Sequence, residues 1–233
     1  MESAGTVLHV LNRAVKRDLL FSTPQDYQAF LRVLAEARER IPLRIVAFCV
    51  MPNHWHLVVW PSEDGQVSSF MHWLTLTHAT RWHASRGSAG HGAVYQGRFK
   101  SFPVQSDYHV LRVCRYVERN ALRAGLVARA EDWRWGSLWH RMNGDPTRLL
   151  SAGPIDLTAD WPQLVNEAQT PEEVEALRRC VARGVPYGSP SWTLRTASEW
   201  GLLDVLRPRG RPRKRPACDA DAPSSADDSG VAK

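Results

Sequence analysis

The stretch Cys49-Val50-Met51-Pro52-Asn53-His54-Trp55-His56-Leu57-Val58-Val59-Trp60 decides how this chain is read. Side chains along a strand alternate with a period of two, so Trp55 turns into a core while His54 and His56 face the other way together. Val, Leu and Trp favour a pleated, half-buried backbone, and Pro52-Asn53 is turn chemistry that separates this strand from the apolar run Ile45 to Met51. The segment reads as a β-hairpin carrying two imidazoles side by side. Neutral imidazole nitrogens so arranged can hold one divalent cation and leave positions open for phosphate oxygens or water. The pair fits equally two solvated histidines on an edge strand, and His-x-His alone does not separate these readings. A partner elsewhere in the chain has to do so.

Ser106 to Val127, SDYHVLRVCRYVERNALRAGLV, offers that partner. Ser106 is an N-cap residue type, Asp107 suits a first turn, and the helical pattern runs to Gly125. Val110, Val113, Cys114, Val117 and Ala121 form its apolar stripe. At about 100° per residue, Tyr116 lies roughly 120° from the centre of that stripe, on the polar side with His109, Arg112, Asn120 and Arg123. This is a poor position for a core tyrosine. Its hydroxyl shares a face with arginines, whose bidentate donors suit a phosphodiester and whose charge favours the phenolate, and Asn120, one turn on, can bring an amide oxygen to the same ion. An amphipathic surface tyrosine among solvated arginines satisfies the same pattern.

The remaining elements define an α+β order. His9 to Ala14 reads as a first strand; Thr23-Pro24-Gln25-Asp26 opens a helix to about Arg40; the histidine hairpin follows. Gln66 to about Ser85 is a second amphipathic helix, with Phe70, Trp73, Leu74 and Thr77 on one face, and Gly87 to Gly92 is a loop. Val94 to Val104 is a further extended segment, before the tyrosine helix. This order suits a ferredoxin-like antiparallel sheet with helices packed on one side. Arg98 and Lys100 alternate on GRFKS and suit a single-strand channel or an ordinary solvated face, and Arg13 and Arg17 share that ambiguity. His72, His78, His83 and His91 read as surface residues, and Trp133, Trp135 and Trp139 as packing for the end of the domain.

Taken together, His9-Val10-Leu11-Asn12-Arg13, MPNHWHLVV (51–59), VYQGRFKS (94–101), RYVERNALRAGLV (115–127) and EDWRWGSLW (131–139) resemble the REP-associated tyrosine transposases, relatives of the single-tyrosine transposases of IS200-type insertion sequences. The resemblance spans most of the chain body, with several motifs in the right order. It implies a ferredoxin-like fold, His54 and His56 of the His-hydrophobic-His (HUH) motif as ligands of a divalent metal, Mg²⁺ or Mn²⁺, and Tyr116 as nucleophile on a DNA phosphate. Asn120 matches an amide position that completes the metal site in relatives. It also implies a substrate of single-stranded or hairpin DNA, with palindromic repeats as the recognised element, and a monomer or a homodimer as the acting species. Ala121 departs from the pattern, in which proline often follows the asparagine; alanine lets the helix continue. A non-cleaving DNA-binding regulator on the same scaffold is the alternative function, and a hydrolytic metal nuclease a third.

Composition accords with these readings. Hydrophobic residues make up 43% of 233, enough for one sizeable domain with extensions. The expected organisation is a catalytic domain over 1–140, a helical appendage over 141–206 suited to DNA binding, and a tail over 207–233. No membrane-span-length apolar stretch or leader pattern is read, so a cytoplasmic, nucleoid-associated protein is expected. Cys49, Cys114, Cys180 and Cys218 lack zinc or thiol-redox spacing and are expected reduced, with Cys49 and Cys114 buried. The net charge of +6 is uneven: Arg207 to Pro216 holds six basic residues and no acid, whereas residues 1–206 hold 23 basic against 20 acidic. LRPRGRPRKRP resembles an AT-hook, in which Arg209, Arg211 and Arg213 would enter a narrow minor groove; a basic disordered tail without groove preference fits as well.

Overall fold

A computed structural model describes residues 4–207, and the tail with Arg209, Arg211 and Arg213 lies outside the described residues. The strands are β1 (Val7–Arg13), β2 (Arg44–Met51), β3 (His54–Trp60) and β4 (Lys100–Val104). Helix α1 (Pro24–Arg40) joins β1 to β2, and α2 (Gln66–Arg86) leads from β3 towards β4. After the sheet come α3 (Tyr108–Glu118), α4 (Asn120–Arg123), α5 (Ser137–Met142), α6 (Trp161–Asn166), α7 (Pro171–Arg183), α8 (Pro190–Glu199) and α9 (Leu203–Leu206). Among the described residues the sheet runs β2-β3-β1-β4, with each neighbouring pair antiparallel. This is the expected ferredoxin-like arrangement.

Local chemistry sets the element ends. Thr23 caps α1 in a reciprocal capping box with Asp26, with Pro24 in the first turn. Asp26 also pairs with Arg86 at 2.9 Å, tying the start of α1 to the end of α2. Pro52 and Asn53 make the two-residue turn between β2 and β3, and its carbonyls accept from Leu20, Phe21 and Ala14. The extended reading over 94–104 narrows to β4, preceded by a bridge between Tyr95 and Ala14.

Both faces of the sheet are covered. Helices α1 and α2 share one core with Leu8, Val10, Phe48, Val50, Trp55, Leu57 and Val59. The opposite core takes Val7, Ala47, Cys49, Met51, Val58, Phe102 and Val104, with α3 lying over them. So the two crossover helices occupy one side, and the tyrosine helix adds a layer on the other. In β2 a bulge between Ile45 and Ala47 lets Val46 and Ala47 both face the α3 core, which switches the parity of the strand. Sheets covered on both faces carry near-continuous apolar strands, as Arg44–Met51 does.

Residues beyond 140 complete the second core. Trp161, Val165, Leu177, Cys180, Val185 and Tyr187 pack into it, and Tyr187 bridges Val104 on β4. Glu118, fully buried at the end of α3, accepts from Ser137 Oγ (2.5 Å), Arg141 Nε (3.2 Å) and Trp161 Nε1 (2.6 Å). One carboxylate therefore ties the tyrosine helix to α5 and α6. In Glu118→Ala, two donors lose their acceptor and Arg141 its counter-charge, so the unfolding free energy should fall by about 3 to 5 kcal/mol in urea denaturation. A loss under about 1 kcal/mol would show that apolar packing alone holds α3.

Candidate metal and phosphate site

The register of β1, β3 and β4 assembles the site. Arg13 pairs with His54 and Leu11 with His56, while Lys100 on β4 pairs with Leu11. Directly opposed residues share a face, so His54, His56, Arg13 and Lys100 lie on the α3 side of the sheet. Towards the other end of these strands the same face carries His9, Phe102, Val58 and Val104, which enter the apolar core. The polar end of this face is where chemistry can occur.

His54 is half-buried, His56 buried, and their ring centroids lie 4.9 Å apart. His54 Nδ1 lies 2.6 Å from Asn53 Oδ1, to which it donates in the Nδ1–H tautomer. His56 Nδ1 shares a 2.9 Å hydrogen bond with Nε2 of His9, a fully buried residue of β1. Neither Nε2 of the pair has a hydrogen bond among the described residues, and neither is sealed from solvent. Burial, then the charges of Arg13 and Arg123, push His54 down to about 4. Burial, then neighbouring His54 and His9 and the two arginines, hold His56 well below the ordinary histidine range. Two neutral imidazoles with free Nε2 atoms fit a divalent cation. Among the described residues no group of three or more His, Cys, Asp or Glu is placed to hold a metal, so further ligands would have to be an amide, phosphate oxygens or water.

Tyr116 sits beside this pair. Its ring meets that of His56 edge-on, with centroids 6.2 Å apart at 88°, and Arg123 lies over the phenol ring at 4.1 Å. Arg123 also donates to the Tyr116 carbonyl and, at 3.0 Å, to Asn120 Oδ1. The helix expected to run to Gly125 breaks at Arg119, and Asn120 and Arg123 belong to the short α4. Tyr116 is 6% exposed, which corrects its reading as a residue of a solvated helix face: His109 and Asn120 are buried with it. The face is polar in sequence because it packs around the histidine pair and against α7, whose Glu173 engages Arg112 at 3.5 Å. Arg112 is thus not brought into the cluster.

Arg13, Arg98 and Lys100 line one cleft of about 520 Å³ with Asn12, Gln96 and Gly97, and α7 adds Val181 and Ala182. Sequence reasoning missed two residues. His9 sits in an apolar strand with no periodicity to flag it; Asn53 reads only as turn chemistry. His78, expected at the surface, is buried between the α1 and α2 layers, where Tyr95 OH lies 2.7 Å from its Nδ1 and accepts from Trp55 Nε1. Trp133 donates to the Val50 carbonyl and Trp135 stacks on Tyr27, the packing role expected of them.

A family model described as "Transposase IS200 like" matches residues 3–120, a span that includes both histidines, Tyr116 and Asn120. Among solved structures, a REP-associated tyrosine transposase bound to a REP hairpin is similar, with a TM-score of 0.50 and 20% identity, over 72% of this chain and 94% of that one. A putative transposase from Deinococcus radiodurans R1 is also similar, with a TM-score of 0.38 and 17% identity, over 51% of this chain and 95% of that one. No curated protein matches. No helix among the described residues is long and apolar enough to cross a membrane.

Burial lowers His9 to about 3 and His54 and His78 to about 4, below the 6.5 of an unfolded histidine. Protons then bind the unfolded chain more tightly, so the stability from these residues is full above about pH 6.5 and is lost as pH falls towards 4 and below. The urea midpoint should be level near neutrality and decline through this window. A midpoint unchanged between pH 7 and about 4 would contradict neutral, buried histidines.

Proposed function

The chain belongs to the IS200-like transposase family, and from that premise we propose that it is a metal-dependent single-strand DNA endonuclease and strand transferase, cleaving near palindromic hairpin repeats through a 5′-phosphotyrosine intermediate. The observation that carries this reading is the edge-on packing of Tyr116 against His56, 6.2 Å between centroids within one chain.

A divalent cation, Mg²⁺ or Mn²⁺, held by His54 and His56 with Asn120 Oδ1 as a further donor, would supply charge stabilisation at the scissile phosphate. Tyr116 Oη forms the new P–O bond as the bond to the 3′-oxygen breaks; the phenol loses its proton, and the departing 3′-oxygen gains one. One phosphodiester replaces another, so a 3′-hydroxyl can reverse the attack and rejoin DNA without an external energy source. Arg123 holds the tyrosine ring from one face and orients Asn120. Arg13, Arg98 and Lys100 receive the backbone of the strand in their cleft. The hairpin substrate is proposed from the similar solved structure, which carries a REP hairpin.

With end-labelled hairpin DNA and Mg²⁺, the wild-type chain should yield a protein–DNA adduct that EDTA prevents and Tyr116→Phe abolishes, while Tyr116→Phe still binds DNA. An adduct persisting in that variant would move the nucleophile elsewhere. Free 5′-phosphate ends without adduct would indicate a hydrolytic nuclease, and binding without cleavage a regulator. If the cleft tracks a single strand, Arg98→Ala combined with Lys100→Ala should lower the slope of log K against log salt by about 1.4, or roughly 0.7 for each phosphate that is no longer neutralised. An unchanged slope would remove the cleft from the DNA path.

A further inference from the structure

His9 has no part in the reaction as set out above. It is fully buried, its ring stacks on Phe102 with centroids 4.7 Å apart, and its Nε2 lies 2.9 Å from His56 Nδ1. Its own Nδ1 has no hydrogen-bond partner among the described residues. Two neutral imidazoles can share the bond between them in two ways. If His9 donates from Nε2, the proton of His56 sits on its Nε2, and that nitrogen cannot coordinate. If His56 donates from Nδ1, its Nε2 lone pair is free, and the proton of His9 sits on the partnerless Nδ1. The direction of this one hydrogen bond decides whether His56 is a ligand.

Resting on the metal reading of the site, we propose that His9 is a positioning residue: its Nε2 accepts the Nδ1–H of His56 and fixes the tautomer and ring plane in which His56 presents Nε2 to a divalent cation. The fold keeps His9 from swinging away. Its backbone is paired on both sides, with Val58 of β3 and Phe102 of β4, and its ring is held by the Phe102 stack. A phenylalanine would fill the space without leaving a buried nitrogen unpaired, so the imidazole is accounted for by what its other nitrogen does for His56. Metal-bound histidines are commonly held in this way by an acceptor on the nitrogen away from the ion.

The test uses the full chain and Mn²⁺ titrated by the electron paramagnetic resonance of the free ion. His9→Phe keeps a stacking ring but removes the acceptor; His9→Gln sets an amide oxygen near the position of Nε2. His9→Phe should weaken Mn²⁺ binding about 10- to 100-fold and His9→Gln should recover most of it. In ¹⁵N spectra of histidine-labelled, Mg²⁺-loaded protein, His56 should carry its proton on Nδ1 in the wild type and in His9→Gln. Thermal unfolding of each variant reports the fold. Equal affinity in wild type and His9→Phe, equal losses in both variants, or a His56 protonated on Nε2 in the loaded wild type would each overturn the assignment. A wild-type chain that binds no Mn²⁺ would overturn the metal reading and this inference with it; binding that His9→Phe leaves unmoved would overturn this inference alone.

Discussion

A strand enclosed on both faces still alternates its side chains, and the candidate site depends on that constraint. β3 lies inside the sheet, between β2 and β1, so Trp55, Leu57 and Val59 enter one core while His54, His56 and Val58 face the other side, where Val58 joins the second core. Each histidine has a protein partner for its Nδ1. His56 finds His9 and His54 finds Asn53, as polar groups withdrawn from water must. The same enclosure disfavours the charged imidazolium. An environment hostile to charge is therefore what keeps a ring nitrogen free of its proton and able to coordinate.

Tyr116 follows from the same layering. Helix α3 must bury Val110, Val113, Cys114 and Val117 on the sheet, and it is held down at its far end by the Glu118 carboxylate. With those positions fixed, a residue one place before Val117 emerges at the margin of the core, where the sheet changes from apolar to polar. The phenol there is packed without being walled in: its ring touches His56 and Arg123, and its hydroxyl has no hydrogen bond among the described residues. Rigid placement of the proposed nucleophile on a helix, against the proposed ligands on a strand, suits a reaction in which positioning and charge stabilisation do most of the work.

How much of this could be read from the sequence follows from which signals burial leaves intact. The hairpin and the two crossover helices rest on period-two and 3.6-residue patterns with clear turn chemistry between them, and all three stand in the fold as read; the placing of Tyr116 with the histidines comes from the family resemblance and from no periodic pattern. The second layer on the sheet was not legible. A polar helix face normally means water, yet His109, Tyr116 and Asn120 are polar because they pack on other polar groups, and no local pattern distinguishes the two. His9 and His78 escaped for a related reason: a single histidine within apolar surroundings carries no periodic signal, and its meaning comes from a partner 47 residues away in one case and 17 in the other. The bulge at Val46 was equally silent, since Arg44–Met51 is apolar at almost every position.

The arginines of α3 and α4 look equivalent in sequence, and the segment that follows makes them unequal. Arg115 donates to the carbonyl of Glu167, and Arg119 to those of Val165 and Asn166, so both close the C-terminal end of α6, where carbonyls lack helical partners. Arg112 is taken by Glu173 of α7, and Arg141 by Glu118. Among the described residues, Arg13, Arg98, Lys100 and Arg123 are in no ion pair. Three of these four line the cleft and the fourth covers the tyrosine. Residues beyond 140 thus do more than fill the second core: they engage Arg112, Arg115 and Arg119 and leave Arg123 to the tyrosine ring and Asn120. A backbone anion entering the cleft of Arg13, Arg98 and Lys100 would displace water and counterions but no carboxylate paired with them, which is the condition under which such contacts contribute most to binding.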